Sequence, residues 1–548
     1  MKNKSLFLLG LLPLIISSCQ AGQQDNKHTY SFSQLTEEEI VEHIATNDKY
    51  RNMYQIFPIS FSDSNGDGKG DLQGIIDKLD YLHDLHYTGI WLNPIHPSST
   101  AHHFDVENYM DIGSDFGTLE IFDNLVTACH ERNMTIIIDL VINHTSNKHP
   151  WFEDSYICAK SNKTNNPMYK LYNWIECTDE KIPDGYRKVN PNDKVAYEGR
   201  FDTSMPDLNL QQVLDDNNGD LATKLKDIFS FWLVDHHIDG FRLDAVTQYF
   251  TGDQNKNLAF MTWMNSAIRA IKQDAYVVGE GSWSTNSTEN KAYQASGLDS
   301  FFQFGNCAKN TGYVAQAVVQ QNAKVMYNGL VNNAENADGG IEAPFLSNHD
   351  VPRYIGAVQG RKTLANAKFA MGLLQTLKGA TFTYYGDEVG MASQSTLSDS
   401  YYRLPIRWGE EDKHTTQINK IKLYSLTESM VDEEMSYPYP DVATQLADEN
   451  SLVNYVKQAN LLRIKYPQLA RGDAELTLCE ENPLAIIKRT FNNESIYVVI
   501  NASLAQTYDV DYSEFATKVS DALLAQGELE YISDTAVRVS ARSIVILQ

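Results

Sequence analysis

Residues 239–246 read DGFRLDAV. Gly240 to Leu243 has the make-up of a short strand buried on both faces, and it delivers Asp244 at its C-terminal end. Arg242 stands two residues before Asp244, so both side chains leave the same face of the strand. The construction recurs twice: YVVGEGSW (276–283) carries Glu280 just past an apolar run, and FLSNHDVP (345–352) does the same with Asp350. Around these segments, from about residue 50, apolar runs alternate with longer amphipathic stretches, the pattern of repeated βα units. The expected strands are Asn52–Ile59, Gly89–Asn93, Thr135–Leu140, Gly240–Leu243, Tyr276–Gly279, Ser300–Gln303, Ala343–Leu346 and Thr381–Tyr385. Eight parallel strands, each followed by a helix, close into an α/β fold of the (β/α)8 TIM-barrel type, whose chemistry collects at the C-terminal strand ends. All three acids are therefore expected at one mouth. A helix cap or a surface ion pair accounts for any one of them alone, but three at strand ends are harder to explain in that way.

The barrel is read over residues 38–144 and 207–465. Residues 145–206, rich in Asn, Lys, Asp and Tyr and without clear periodicity, are too long for an ordinary βα loop and are read as a small domain inserted after strand three. Over 466–548 the pattern changes to short runs between turn signals: Ala485–Arg489, Ser495–Asn501, Thr507–Val510 and Ala536–Leu547. These predict a C-terminal antiparallel β-sandwich, expected to cap the barrel because it concentrates no chemistry.

Residues 1–18 join Lys2 and Lys4 to an apolar run, Leu6–Ile16, that is too short to span a bilayer and suits a secretory signal. Ile16, Ser17, Ser18 and Cys19 resemble the lipobox of bacterial lipoproteins. That resemblance implies an exported chain, periplasmic or at the cell surface, held to a membrane through a lipidated Cys19, with polar residues 19–37 as tether. Five cysteines remain beyond Cys19, an odd number that leaves at least one free thiol; Cys158 and Cys177 are the one pair considered for a bridge, and no spacing suggests zinc. The formal charge is −26, becoming −28 once Lys2 and Lys4 leave with residues 1–18. Such a chain repels phosphate backbones and anionic surfaces, so nucleic acid and polyanionic substrates are poor partners while neutral ligands stay open.

The three acids supply what acetal cleavage needs. One carboxylate attacks an anomeric carbon, and a second carboxyl, held protonated, gives its proton to the departing oxygen. Asp244 is read as the nucleophile and Glu280 as the acid/base. Arg242 is expected to keep Asp244 ionised, while neighbouring carboxylates hold the proton on Glu280. Asp350, beside His349, is expected to hydrogen-bond sugar hydroxyls as the ring flattens.

Taken in order, GIWLNPI (89–95), DLVINH (139–144), MPDLN (205–209), GFRLDAV (240–246), GEGSW (279–283), FLSNHD (345–350) and YYGDEVGM (384–391) resemble the signature regions of the α-amylase family, glycoside hydrolase family 13. The resemblance covers roughly residues 50–465 and is weaker over the sandwich. It implies a retaining mechanism with Asp244 as nucleophile, Glu280 as acid/base and Asp350 as transition-state stabiliser. It also implies sugar contacts from His144, Arg242 and His349, and a structural Asp139. The stretch HHFDVENY (102–109) resembles HGYDVxDY, whose tyrosine stacks on the sugar; Phe104 keeps the ring face but lacks the hydroxyl.

Asp63, Asn65, Asp67 and Asp71 in DSNGDGKGD offer hard oxygen ligands at alternating positions of a Gly-rich turn. Gly74 stands where an EF-hand requires its bidentate glutamate, so a different loop is implied, and it resembles the structural calcium loop that follows strand one in many family members. In some members the counterpart of Asn143 also holds calcium. Ala245 resembles members acting on α-1,4 links of starch-like α-glucans and maltooligosaccharides. MPDLN resembles a form intermediate between the oligo-1,6-glucosidase and neopullulanase subgroups, and Thr247 and Gln248 replace the Lys-His of many α-amylases. Two other readings stand beside hydrolysis: transfer of the glycosyl group to a sugar acceptor, as in an α-glucan transglycosylase or neopullulanase-type enzyme, and a catalytically silent glycan-binding lipoprotein. The presence of all three carboxylates weighs against the last.

Overall fold

The computed structural model describes residues 30, 32–44, 48–177, 182–284, 288–307, 312–357, 363–392, 399–409, 414–421, 439–479 and 483–548. The expected signal run, Cys19 and most of the tether lie outside the described residues.

Eight parallel strands form one sheet: Asn52–Ile56, Gly89–Leu92, Thr135–Leu140, Gly240–Leu243, Tyr276–Gly279, Ser300–Gln303, Ile341–Pro344 and Thr381–Tyr384. They lie in chain order round the sheet with the first strand beside the eighth, and a parallel bridge between Phe345 and Phe382 joins the seventh to the eighth and closes the ring. The runs are short and apolar because both faces are covered, as in TIIIDL of the third strand. The expected first strand is cut at Ile56, since Pro58 opens a short helix, Pro58–Phe61, with its fixed φ. The seventh strand lies earlier than expected, at Ile341–Pro344.

Inside the ring, Met53, Trp91, Ile137, Val278, Phe302, Phe345 and Phe382 fill the axis. Trp91 stacks on Phe302 at 5.2 Å, and Phe302 meets Phe382 edge-on at 4.9 Å. This apolar plug makes the barrel a packed core. Asp139 and Arg242 are register partners on adjacent strands, Trp91 donates its indole N–H to Asp139 (3.3 Å), and the Arg242 guanidinium lies over the Trp91 ring.

Between the third and fourth strands the inserted segment folds into helices Pro150–Lys160 and Pro167–Lys170 and a three-stranded sheet in which Val195–Glu198 lies between Trp174–Glu176 and Tyr186–Arg187. Bridges from His144 to Asp207 and from Tyr172 to Leu208 close its base. Cys158 and Cys177, considered for a bridge, are free buried thiols. Each is fixed by its own element: Cys158 sits on the helix, while the Cys177 N–H is tied to the Lys194 carbonyl at the edge of the sheet.

The C-terminal region packs a five-stranded antiparallel sheet against a three-stranded one, with Ile486, Val499, Val510, Val537, Val539 and Val545 between them. The single run expected over Ala536–Leu547 is two strands, Ala536–Val539 and Ser543–Leu547, in different sheets. Arg542, at φ 54°, makes the turn between them. Its buried guanidinium donates to the carbonyls of Ala502 and Val318, fastening the sandwich to a helix of the barrel.

Candidate active site

The fourth, fifth and seventh strands end at one rim, and the acids that follow them meet there. Arg242 Nη1 lies 2.7 Å from Asp139 and 2.6 Å from Asp244, and its Nη2 lies 2.9 Å from Glu280. Asp244 and Glu280 thus share one guanidinium. Ala245 holds a left-handed backbone (φ 49°), and its N–H donates to Glu280 Oε2 at 2.9 Å. The other oxygen of Glu280 accepts the indole N–H of Trp283 at 3.0 Å. Asp350 faces the same opening with its side chain 23% exposed; Arg403 Nη2 and His349 Nε2 each approach one of its oxygens at 3.0 Å. Gln55 and Asn93 present amide nitrogens to His349 Nδ1 at 2.9 and 3.4 Å, which orients the ring with Nε2 toward Asp350.

Phe104 stacks on His349 at 5.3 Å with planes 10° apart, and its carbonyl accepts from His144 Nε2 at 3.2 Å. Burial pushes the His144 ring down to about 4, so it stays neutral. Every residue expected to touch the reacting sugar therefore lies on this one rim. Asp139 is buried beneath it, tied to Arg242, Trp91 and Asn93. Arg403 and Trp283 were not singled out from the sequence. Trp283 stood in the GEGSW motif, but its contact with Glu280 is a product of folding, and Arg403 arrives from 53 positions beyond Asp350 with no local signal.

The expectation that Arg242 keeps Asp244 ionised meets an opposing effect of burial. Burial raises Asp244 well above the carboxylate range, and Arg242 pulls it down only against further upward pressure from Glu280 and Asp139. Burial raises Asp139 as well. One guanidinium divided among three acids cannot neutralise them all, so buried Asp244 and Asp139 hold their protons more tightly than isolated aspartates do. Asp350 goes the other way: burial opposes ionisation, but His349, then Arg403, outweigh it and hold the acid well below its usual range.

The loop at 63–71 uses its side-chain oxygens on its own backbone. Asp63 accepts from the N–H groups of Asn65, Gly66 and Gly68 at 2.7–3.1 Å, Asp71 caps the helix Leu72–Asp77 through Gly74 and binds Ser64 and Asn65, and Asn65 and Asp67 accept from Asp67 and Lys69. The donors are hard oxygens of the kind calcium takes. Among the described residues, however, no three His, Cys, Asp or Glu side chains converge as metal ligands. Asn143, the second calcium candidate, donates its amide to Asp207 at 3.2 Å.

A parallel eight-stranded barrel with paired acids on a shared arginine at its C-terminal rim defines a barrel glycoside hydrolase. The family model described as "Alpha amylase, catalytic domain" matches residues 55–472. Alpha-amylase 3 of Dictyoglomus thermophilum is 34% identical over 459 residues, covering 82% of this chain and 85% of that protein. An oligo-1,6-glucosidase of Parageobacillus thermoglucosidasius is 26% identical, covering 82% and 89%. The solved structure of Amy13B from Eubacterium rectale superposes with a TM-score of 0.81 at 33% identity, covering 94% and 99%. The chain belongs to the α-amylase family.

Proposed function

We propose that this enzyme hydrolyses α-1,4-glucosidic bonds of starch-like glucans and maltooligosaccharides with retention of configuration. The observation that carries the reading is the single guanidinium of Arg242 touching both Asp244 and Glu280. Two carboxyls gathered on one such group suit double displacement, which needs them about 5 Å apart, better than inversion, which needs a wider gap to admit a water. Asp244 attacks the anomeric carbon as the glycosidic C–O bond breaks and Glu280 gives its proton to the departing oxygen. Water then attacks the glycosyl-enzyme, Glu280 takes its proton, and Asp244 leaves. Asp350, held ionised by His349 and Arg403, binds ring hydroxyls whose hydrogen bonds strengthen as positive charge grows at the anomeric centre. Phe104 offers its ring to the apolar face of that sugar, and His144, Arg242 and His349 line the same subsite. Support for α-1,4 specificity comes from Ala245 and from the relative named an α-amylase.

Chromatography of products from soluble starch, pullulan and maltooligosaccharides, beside an Asp244→Asn variant, tests this. The wild type is expected to release one new reducing end per cut from starch, and the variant to lose at least about a thousandfold in kcat. A variant with wild-type hydrolysis would overturn the mechanism, and products without new reducing ends would show transfer.

Two further expectations join the proposal. Calcium bound by Asp63, Asn65, Asp67 and Asp71 is structural; it predicts a thermal midpoint that rises with added calcium and falls with chelator, in step with occupancy measured on the purified protein. Cys19 is lipidated and anchors an exported chain, which intact-mass analysis of membrane-extracted protein reads directly.

A further inference from the structure

The chain enters the fold on the face opposite the active site. Tyr30 donates its hydroxyl to the Ala522 carbonyl (3.2 Å) and Asp521 (3.3 Å) of the sandwich, and the Ala522 N–H donates back to it. Buried Asp521 also takes Lys465 Nζ at 2.5 Å and the Tyr466 hydroxyl at 2.6 Å, at the C-terminal end of the helix Leu452–Lys465 that follows the eighth strand. Phe32, Leu35, Ile40 and Ile44 then pack on Leu461 and Ile464 of that helix. Glu37, Ile40 and Ile44 share one cleft with His83, Thr88 and Asn133. Thr88 directly precedes the second strand and Asn133 nearly so the third, so this arm lies across the N-terminal strand ends. Asp244, Glu280 and Asp350 stand at the C-terminal ends.

Only eleven residue steps separate Cys19 from Tyr30. In any conformation they reach at most roughly 40 Å, at about 3.3–3.6 Å per residue. A compact chain of this length has a radius of gyration of about 24 Å and hence a diameter of about 60 Å. The tether is too short to pass round the molecule and bring the mouth to the lipid.

We propose that the base of the barrel, with the docked arm of residues 30 and 32–44, is the membrane-facing surface, and that the catalytic mouth is held facing away from the bilayer, open to polymeric substrate. This rests on the lipidation of Cys19. It also fits the strong negative charge of the chain, which gives the protein no general attraction to an anionic surface and leaves the tether to set its orientation.

The test uses the full acylated chain in vesicles of phosphatidylethanolamine and phosphatidylglycerol carrying a headgroup energy acceptor. One fluorophore is placed on Glu38→Cys, exposed on the arm, or on Gln248→Cys, exposed just past Ala245 at the mouth. The parent chain, labelled in parallel, gives the background from Cys479. Transfer from position 38 is expected to exceed that from 248 by roughly fivefold or more, given the tether reach and molecular diameter. Inserting a long Gly/Ser segment after Ala21 should shrink the ratio toward one. Equal transfer from the two positions in the unextended, vesicle-bound chain overturns the orientation. An unacylated Cys19, with protein that stays off the vesicles, overturns instead the anchor reading beneath it, and mass analysis tells the two failures apart.

Discussion

Arg242 meets Asp139 and Asp244 with one nitrogen and Glu280 with another, so a single positive charge is divided among three acids in a nearly dry site. Lysine could not replace it, because a point charge cannot present two nitrogens in a fixed fork. The upward shift of Asp244, set first by burial, has a kinetic consequence. An acid that must be ionised to attack loses activity as pH falls through its raised value, so the acidic limb of the kcat/KM profile is expected clearly above the range of an ordinary aspartate. A limb near the ordinary value would show that Arg242 dominates after all. Asp350 contributes nothing to that limb, since His349 and Arg403 keep it ionised throughout.

Strand ends decide where those side chains arrive. Gly240 opens the fourth strand so close to the fifth that a Cβ would sit 1.8 Å from the Tyr276 carbonyl oxygen. Gly240→Ala must therefore displace the strand carrying Arg242 and Asp244. A thermal midpoint lower by several degrees and a large loss of kcat are expected together, read by calorimetry and by kinetics on the soluble fraction. Near the seam between first and eighth strands, Glu388 is fully buried and accepts from Tyr54 (2.8 Å) and Tyr81 (3.0 Å). Burial pushes it from 4.5 up to about 7. The folded protein holds a proton there that the unfolded chain releases, so this contribution is full below about pH 4.5 and is lost as pH rises through about 7. The slope is at most about 1.4 kcal/mol per pH unit. In Glu388→Gln that part of the slope is expected to vanish, and urea midpoints between pH 5 and 7.5 measure it.

For the whole molecule, buried arginines join sandwich to barrel. Arg489 donates to the carbonyls of Thr376, Leu469 and Gly472, and Arg542 reaches Val318. Arg489→Ala leaves those carbonyls without their donor at a cost of about 3 kcal/mol. The apparent midpoint is expected to fall by several degrees while kcat and KM of the folded fraction stay within about twofold. A change in KM for starch with unchanged stability would instead point to a substrate role for the sandwich.

Local pattern was enough to place the eight barrel strands to within a few residues, and to put Asp244, Glu280 and Asp350 just past three of them, because a buried strand needs an unbroken apolar run and the residue after it must emerge at the rim. Three sandwich strands, Asp473–Leu478, Val519–Leu524 and Glu530–Ser533, give no apolar run to count: the first and last are largely exposed mixtures, and the middle one, buried at Asp521 to Leu523, is interrupted by Ser520 and Asp521. The split at Arg542 was hidden for a different reason: an arginine in a left-handed turn is held there by carbonyls from distant segments. The same limit governs the site. Sequence determined which acids meet, through periodicity along each strand. Only the tertiary structure decided how they share charge, because the crowding of Asp139, Asp244 and Glu280 on Arg242, and the grip of Arg403 on Asp350, depend on burial and on distances between segments that no local spacing encodes.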